Sequence, residues 1–69
     1  MKQYRDSRGW RYQVMAGIGG YAFKGRYLKP GALSWKCMTQ LPWQDKIKDA
    51  QADLDAYAKK KGWEEVESE

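Results

Sequence analysis

From Trp10 onward the side chains alternate in character. Trp10, Tyr12, Val14 and Ala16 fall on one side of an extended chain, and Arg11, Gln13 and Met15 fall on the other. Period-two alternation rich in aromatic and β-branched residues predicts a strand. Gly17-Ile18-Gly19-Gly20 interrupts it, and glycine supplies the positive φ a hairpin turn requires. A second alternating run covers roughly 21–28, with Tyr21, Phe23, Gly25 and Tyr27 opposed to Ala22, Lys24, Arg26 and Leu28. Lys29-Pro30-Gly31-Ala32 then matches a type II turn, proline fixing φ at the first central position and glycine accepting φ > 0 at the second. A third run over roughly 33–41 sets Leu33, Trp35, Cys37, Thr39 and Leu41 against Ser34, Lys36, Met38 and Gln40.

Past Pro42 the period changes. Ile47, Ala50, Leu54 and Tyr57-Ala58 recur at spacings of three and four, with Trp43 one turn earlier, as on one stripe of an amphipathic helix. Its interior lacks Gly and Pro and holds four alanines. Asp45 and Asp49 come early and Lys59, Lys60 and Lys61 late, which suits the helix dipole. Gly62 is placed for the C-terminal cap, with Trp63 folding back on the last turn. The helix start is expected at Pro42 or with Asp45 as N-cap.

These elements define an α+β fold: a three-stranded antiparallel meander with one C-terminal amphipathic helix packed on one face, in the order β-β-β-α. Residues 1–8 are expected as a flexible basic arm, 9–63 as the single domain and 64–69 as an acidic tail. The expected core face is Trp10, Tyr12, Val14, Tyr21, Phe23, Tyr27, Leu33, Trp35, Cys37 and Leu41. A core this small gains buried area from large rings.

Charge changes the picture. The 69 residues carry 13 Lys and Arg against 9 Asp and Glu, a net charge of +4. Residues 1–36 hold eight cations against Asp6 alone, and residues 37–69 hold five lysines against eight acids. The first half is therefore +7 and the second −3. The uncovered sheet face is expected to present Arg11, Lys24, Arg26 and Lys36 with Gln13 and no acid. Lys29 in the turn and Arg5 and Arg8 in the arm extend that surface, and an acidic helix sits behind it. Basic side chains attract phosphates through counterion release, Arg and Lys reach guanine O6 and N7, and Gln pairs with adenine. The expected partner is double-stranded DNA, bound in the major groove by the sheet. Stacking of single strands is disfavoured, because the alternation sends Trp10, Tyr12, Phe23 and Trp35 inward. Heterologous self-association of basic sheet with acidic helix is a further possibility, and two alternatives compete more directly with DNA. One is that a solvated, charged sheet face serves only to resist edge aggregation. The other is a protein-interaction module that modulates a host factor. It would use Asp45, Asp49, Asp53 and Asp55 on the helix, or Met15, Leu28 and Met38 on the sheet.

Candidate chemistry is sparse. The sequence has no His, the commonest general base and metal ligand. The single Cys37 excludes an intrachain disulfide framework and a Cys-based zinc site. It also lacks the His partner of a catalytic thiol. Gly17-Ile18-Gly19-Gly20-Tyr21-Ala22 matches a dinucleotide fingerprint literally, but no helix is expected to open after it. Asp45, Asp49 and Asp53 lie along one helix line with nothing converging on them, so no metal is expected. The chain reads as a non-enzymatic protein with no cofactor. The uncharged run from Val14 to Phe23 is too short to span a bilayer and too rich in glycine for a leader segment. No membrane partner is expected. A cytoplasmic setting, where Cys37 stays reduced, is.

The β-β-β-α order with a basic sheet over roughly residues 10–62 resembles two DNA-binding groups. These are the arm-type-binding domain of phage and transposon integrases and the plant AP2 domain. Both dock a three-stranded sheet in the major groove. The resemblance is one of topology, and no functional residue is carried over from it. The helix start Trp43-Gln44-Asp45-Lys46 presents an acid where double-stranded-RNA-binding domains present lysines. The stretch from Ala50 to Trp63, AQADLDAYAKKKGW, is similar in general look to small phage or prophage proteins.

Overall fold

The computed structural model describes residues 2–67. Its centre is the expected hairpin. Strands β2 (Arg11–Ala16) and β3 (Phe23–Leu28) pair antiparallel, from Arg11 opposite Leu28 to Ala16 opposite Phe23. The connecting turn contains a short 3-10 segment at Ile18–Gly20, where Gly19 and Gly20 take φ of 83° and 71°. The second turn also forms as expected: Ala32 N–H donates to the Lys29 carbonyl at 3.0 Å, and Gly31 takes φ of 82°.

The sheet is larger than a three-stranded meander. It has five strands in the order β4-β3-β2-β1-β5. Strand β1 is Lys2–Arg5, the segment expected as a flexible arm. It pairs antiparallel with β2, Tyr4 lying opposite Tyr12. The turn between them is built on Asp6. Its carboxylate accepts from the backbone N–H of Arg8 (2.9 Å) and Trp10 (3.0 Å), from the Arg8 guanidinium (3.0 and 3.2 Å) and from the Tyr12 hydroxyl (2.7 Å). Burial alone would raise the Asp6 pKa. The Tyr12 hydroxyl, Arg8 and the two backbone donors hold it below the ordinary value instead. The Tyr12 hydroxyl is pushed up to about 12, by burial first and then by its bond to Asp6.

Strand β5, Glu64–Glu67, is the segment expected as a fraying tail. It pairs antiparallel with β1, placing Arg5 opposite Glu64, Tyr4 opposite Glu65 and Gln3 opposite Val66. Ion pairs cross this junction from Arg5 to Glu64 (3.2 Å) and from Lys2 to Glu65 (3.7 Å). Residue 1 of the expected arm and residues 68–69 of the expected tail lie outside the described residues.

The third expected strand shrinks to β4, Lys36–Cys37. Its register sets Arg26 opposite Cys37 and Tyr27 opposite Lys36. Paired residues share a face, so Cys37 joins the face away from the helix and Lys36 the helix side. Both expectations are thereby reversed. The reason is the loop before β4, which leaves the alternation: Leu33 is fully exposed and Trp35 only half-buried. After Cys37 the chain turns inward. Met38 N–H donates to the Gly25 carbonyl at 3.0 Å, and Met38 is buried to 1% exposure. Gly25 makes room for this, since a Cβ there would stand 3.0 Å from Leu41 Cδ1 and 3.1 Å from Met38 Sδ.

Helix α1 runs Ile47–Lys61, later than either expected start. Gln44 is held as an extra rung on the sheet, exchanging backbone hydrogen bonds with Phe23 at 2.7 and 2.9 Å. Lys46 therefore occupies the N-cap position, without a side-chain cap. The other end is as expected. Gly62 adopts φ of 74°, and Trp63 N–H donates to the Ala58 carbonyl at 2.9 Å. Trp63 then stacks on Tyr12, ring centroids 3.6 Å apart.

The core lies between helix and sheet: Tyr4, Tyr12, Val14, Met38, Leu41, Ala50, Leu54 and Ala58. Trp10, Phe23 and Tyr27 pack against it, while Tyr21, expected inside, is 85% exposed beyond the hairpin turn. Tyr4 donates to Asp55 at 2.6 Å and ties β1 to the helix. Burial and this bond raise the Tyr4 pKa above the ordinary tyrosine range. Burial opposes ionisation of Asp55, but Tyr4, Gln51 and Lys2 together keep its pKa below the usual value. No helix among the described residues is long and apolar enough to cross a membrane.

Candidate nucleic-acid interface

The helix covers one sheet face and leaves the other uncovered. On that outer face, cross-strand register builds three rows. Glu64, Arg5, Arg11 and Leu28 form the first, Val66, Gln3, Gln13, Arg26 and Cys37 the second, and Met15 and Lys24 the third. Four of the expected site residues, Arg11, Gln13, Lys24 and Arg26, therefore stand together on adjacent strands. Arg5 joins them through β1, but it is already paired with Glu64. Glu64 also corrects the expectation of an acid-free face.

Local bonding sets how each side chain is presented. Gln3 is buried at 6% exposure and donates to Gln13 Oε1 at 2.9 Å. Arg11 donates to Gln3 Oε1 at 3.3 Å. This amide–guanidinium chain holds Arg11 and Gln13 upright in the middle of the face. A base reading Gln13 would share its carbonyl oxygen with Gln3. Arg26 gives one N–H to the Ala16 carbonyl at 3.4 Å, and its buried Nε has no hydrogen-bond partner among the described residues. Arg11, Lys24 and Arg26 enter no ion pair among the described residues.

The other three expected residues lie elsewhere. Lys36 is exposed and on the helix side by register. Lys29 Nζ stands 5.1 Å from the Trp10 ring centroid. Arg8 lies 3.9 Å over the same ring and is committed to Asp6. Arg8 and Lys29 thus form a separate cationic group around Trp10, at the β1–β2 turn.

Trp43 is an addition to the face. The Gln44 rung turns Trp43 to the outer side, where it is 47% exposed and Lys24 Nζ lies 5.3 Å from its ring. It borders a largely apolar cleft of about 360 Å³ with Gly17, Ala22, Arg26 and Cys37. Gly17 is required there, since a Cβ would come within 2.8 Å of the Trp43 ring. The sequence signal was Leu41-Pro42-Trp43, where proline disfavours a helix through the preceding residue.

The helix is not acidic. Ile47–Lys61 contains Lys48, Lys59, Lys60 and Lys61 against Asp49, Asp53 and Asp55. Asp53 accepts from Gln44 at 2.7 Å, and Asp55 is held by Tyr4, Gln51 and Lys2. Much of the acidity of the second half resides in β5 instead. No group of three or more His, Cys, Asp or Glu suited to a metal ion occurs among the described residues.

Comparison with protein-family models, with curated proteins and with solved structures gives no match to this chain.

Proposed function

We propose that this protein is a non-enzymatic DNA-binding module that docks the outer sheet face in the major groove of a duplex. The observation that carries the reading is the register of β2 and β3. It aligns Arg11, Gln13, Lys24 and Arg26 on one uncovered face, three cations without carboxylate partners among the described residues. Within the five-stranded sheet the β2–β3 pair has the width of the two-stranded ribbons that the major groove admits. Arg11 and Arg26 suit guanine edges or phosphate, Lys24 suits phosphate, and Trp43 lies against the sugar–phosphate edge. The host-factor alternative loses its acidic helix, because α1 carries more lysines than aspartates. Titrating duplex DNA at a series of salt concentrations tests the proposal. Three to four neutralised phosphates give a log–log salt slope of about −3 to −4. Arg26→Ala should make that slope shallower by about 1. Absence of duplex binding at low salt refutes the reading.

A further inference from the structure

A second cleft, of about 400 Å³, opens on the helix side of the sheet, away from the basic face. It lies between the turn after β4, the C-terminal end of α1 and Trp10. Two aromatic stacks line it. Trp10 stacks on Tyr27 with centroids 5.6 Å apart and planes 17° apart. Tyr12 stacks on Trp63 at 3.6 Å and 10°, with Tyr57 tilted against Trp63 at 5.2 Å. Trp10, Tyr27, Tyr57 and Trp63 are only half-buried and line the cleft, with Arg8 over the Trp10 ring and Lys61 Nζ 5.6 Å from the Tyr57 ring centroid.

Such a concentration of rings suits one of two guests: a cation held by ring faces, or a flat π-system continuing a stack. The charges decide between them. Arg8 and Lys61 both line the cleft. Arg8 is paired with Asp6, whose side chain is 6% exposed and also bonded by Tyr12 and the Trp10 N–H. That pair is neutral, which leaves Lys61 as the lining cation without a carboxylate partner among the described residues. A cationic guest would meet this ammonium and no unpaired carboxylate, whereas an anionic flat guest meets an unpaired counter-charge. The helix end would ordinarily oppose an anion through its terminal carbonyls. Here the Ala58 and Lys59 carbonyls accept from the Trp63 and Gly62 N–H groups, and Lys59, Lys60 and Lys61 place positive charge on that last turn. Thr39 and Gln40 add hydroxyl and amide groups along the lining, able to meet the edge of a heterocycle. The volume lies within the range of small-molecule sites.

We propose that this cleft binds a nucleoside phosphate, its base lodged against the Trp10–Tyr27 and Tyr12–Trp63 stacks and its phosphate at Lys61. The site lies across the sheet from Arg11, Lys24 and Arg26, and Cys37 at the sheet edge is the one lining residue it shares with the Trp43 cleft among the described residues. Its nucleotide could be free or at the unpaired end of a strand, and the test separates these sources.

The experiment follows the indole N–H resonances of the four tryptophans by ¹H–¹⁵N NMR in the full chain. The titrants are AMP, adenosine, inorganic phosphate, a short adenine-rich single strand and a blunt duplex. AMP should shift Trp10 and Trp63 along a saturating curve with Kd below about 1 mM, leaving Trp35 and Trp43 in place. Adenosine should bind at least about threefold more weakly, and phosphate alone should leave both indoles unmoved. Lys61→Ala should weaken AMP about threefold without altering adenosine binding. Lys61 is exposed and outside the core, so this variant retains the fold. A strand that saturates Trp10 and Trp63 at much lower concentration than AMP assigns the site to a strand end; parity assigns it to the free nucleotide. Unmoved Trp10 and Trp63 indoles at millimolar AMP and with the single strand overturn the proposal. So does Lys61→Ala with unchanged AMP affinity, which removes its anionic half. Duplex-induced shifts confined to Trp43 report on the other face, so neither reading's failure is mistaken for the other's.

Discussion

On the helix side of the sheet the polar atoms come in closed pairs, Tyr4 with Asp55 and Tyr12 with Asp6, set among buried Val14, Met38 and Leu54. On the outer side Arg11, Lys24 and Arg26 stand in rows without carboxylate partners among the described residues. Both faces come from the same two alternating strands. One face therefore carries the stability of the fold, and the other retains hydrogen-bonding capacity for an outside partner.

The largest break in this comparison comes from the helix side. Leu54 is fully buried, with its Cδ1 above Gly25. Leu54→Ala should cost about 2–5 kcal/mol in urea denaturation, a large share of the stability expected of so small a domain. The polar pairs come next, and pH reports on them. Asp6 and Asp55 are held below the ordinary aspartate value of 3.8, so their contribution is present above it and is lost as pH falls through the lowered values. Tyr4 and Tyr12 are raised above 10.0, so theirs is present below pH 10 and is lost as pH rises through the folded Tyr12 value of about 12. Melting temperature against pH should show a plateau from about pH 5 to 9 with a decline on either side. Tyr12→Phe should cost about 1.5–3 kcal/mol within that pH range, since its hydroxyl bonds an ionised carboxylate, and should soften the alkaline limb. The smallest effect belongs to the outer face. Arg11→Ala and Lys24→Ala should move stability by no more than about 0.5 kcal/mol while weakening duplex binding. If instead they destabilise the fold as Tyr12→Phe does, the division of labour between the faces fails.

The legible parts of the fold were those marked by strong period and punctuation. The β2–β3 hairpin carries aromatic alternation around a glycine turn, and α1 ends on Gly62-Trp63 as its residues suggest. Strands β1 and β5 escaped because KQYR and EEVE offer no apolar alternation. They are ordered by cross-strand charge and by Tyr4, whose burial depends on Asp55 far along the chain. The Asp6-Ser7-Arg8-Gly9 turn was the available cue, with Gly9 at φ of 84°. Of the basic surface, Arg11, Gln13, Lys24 and Arg26 were readable because β2 and β3 keep strict register. Lys36 was not, because the loop from Lys29 to Trp35 resets the phase before β4.

The pairing of β1 with β5 joins segments that are almost the whole described chain apart. Closing so long a loop is entropically the most expensive step in assembling the sheet, whereas the β2–β3 hairpin closes over a few residues. The order of assembly follows. The hairpin and helix can meet early, and β1 waits for β5. Until β5 arrives, one hydrogen-bonding edge of β1 lies open, so a nascent or partly unfolded chain exposes a strand edge that the finished molecule covers.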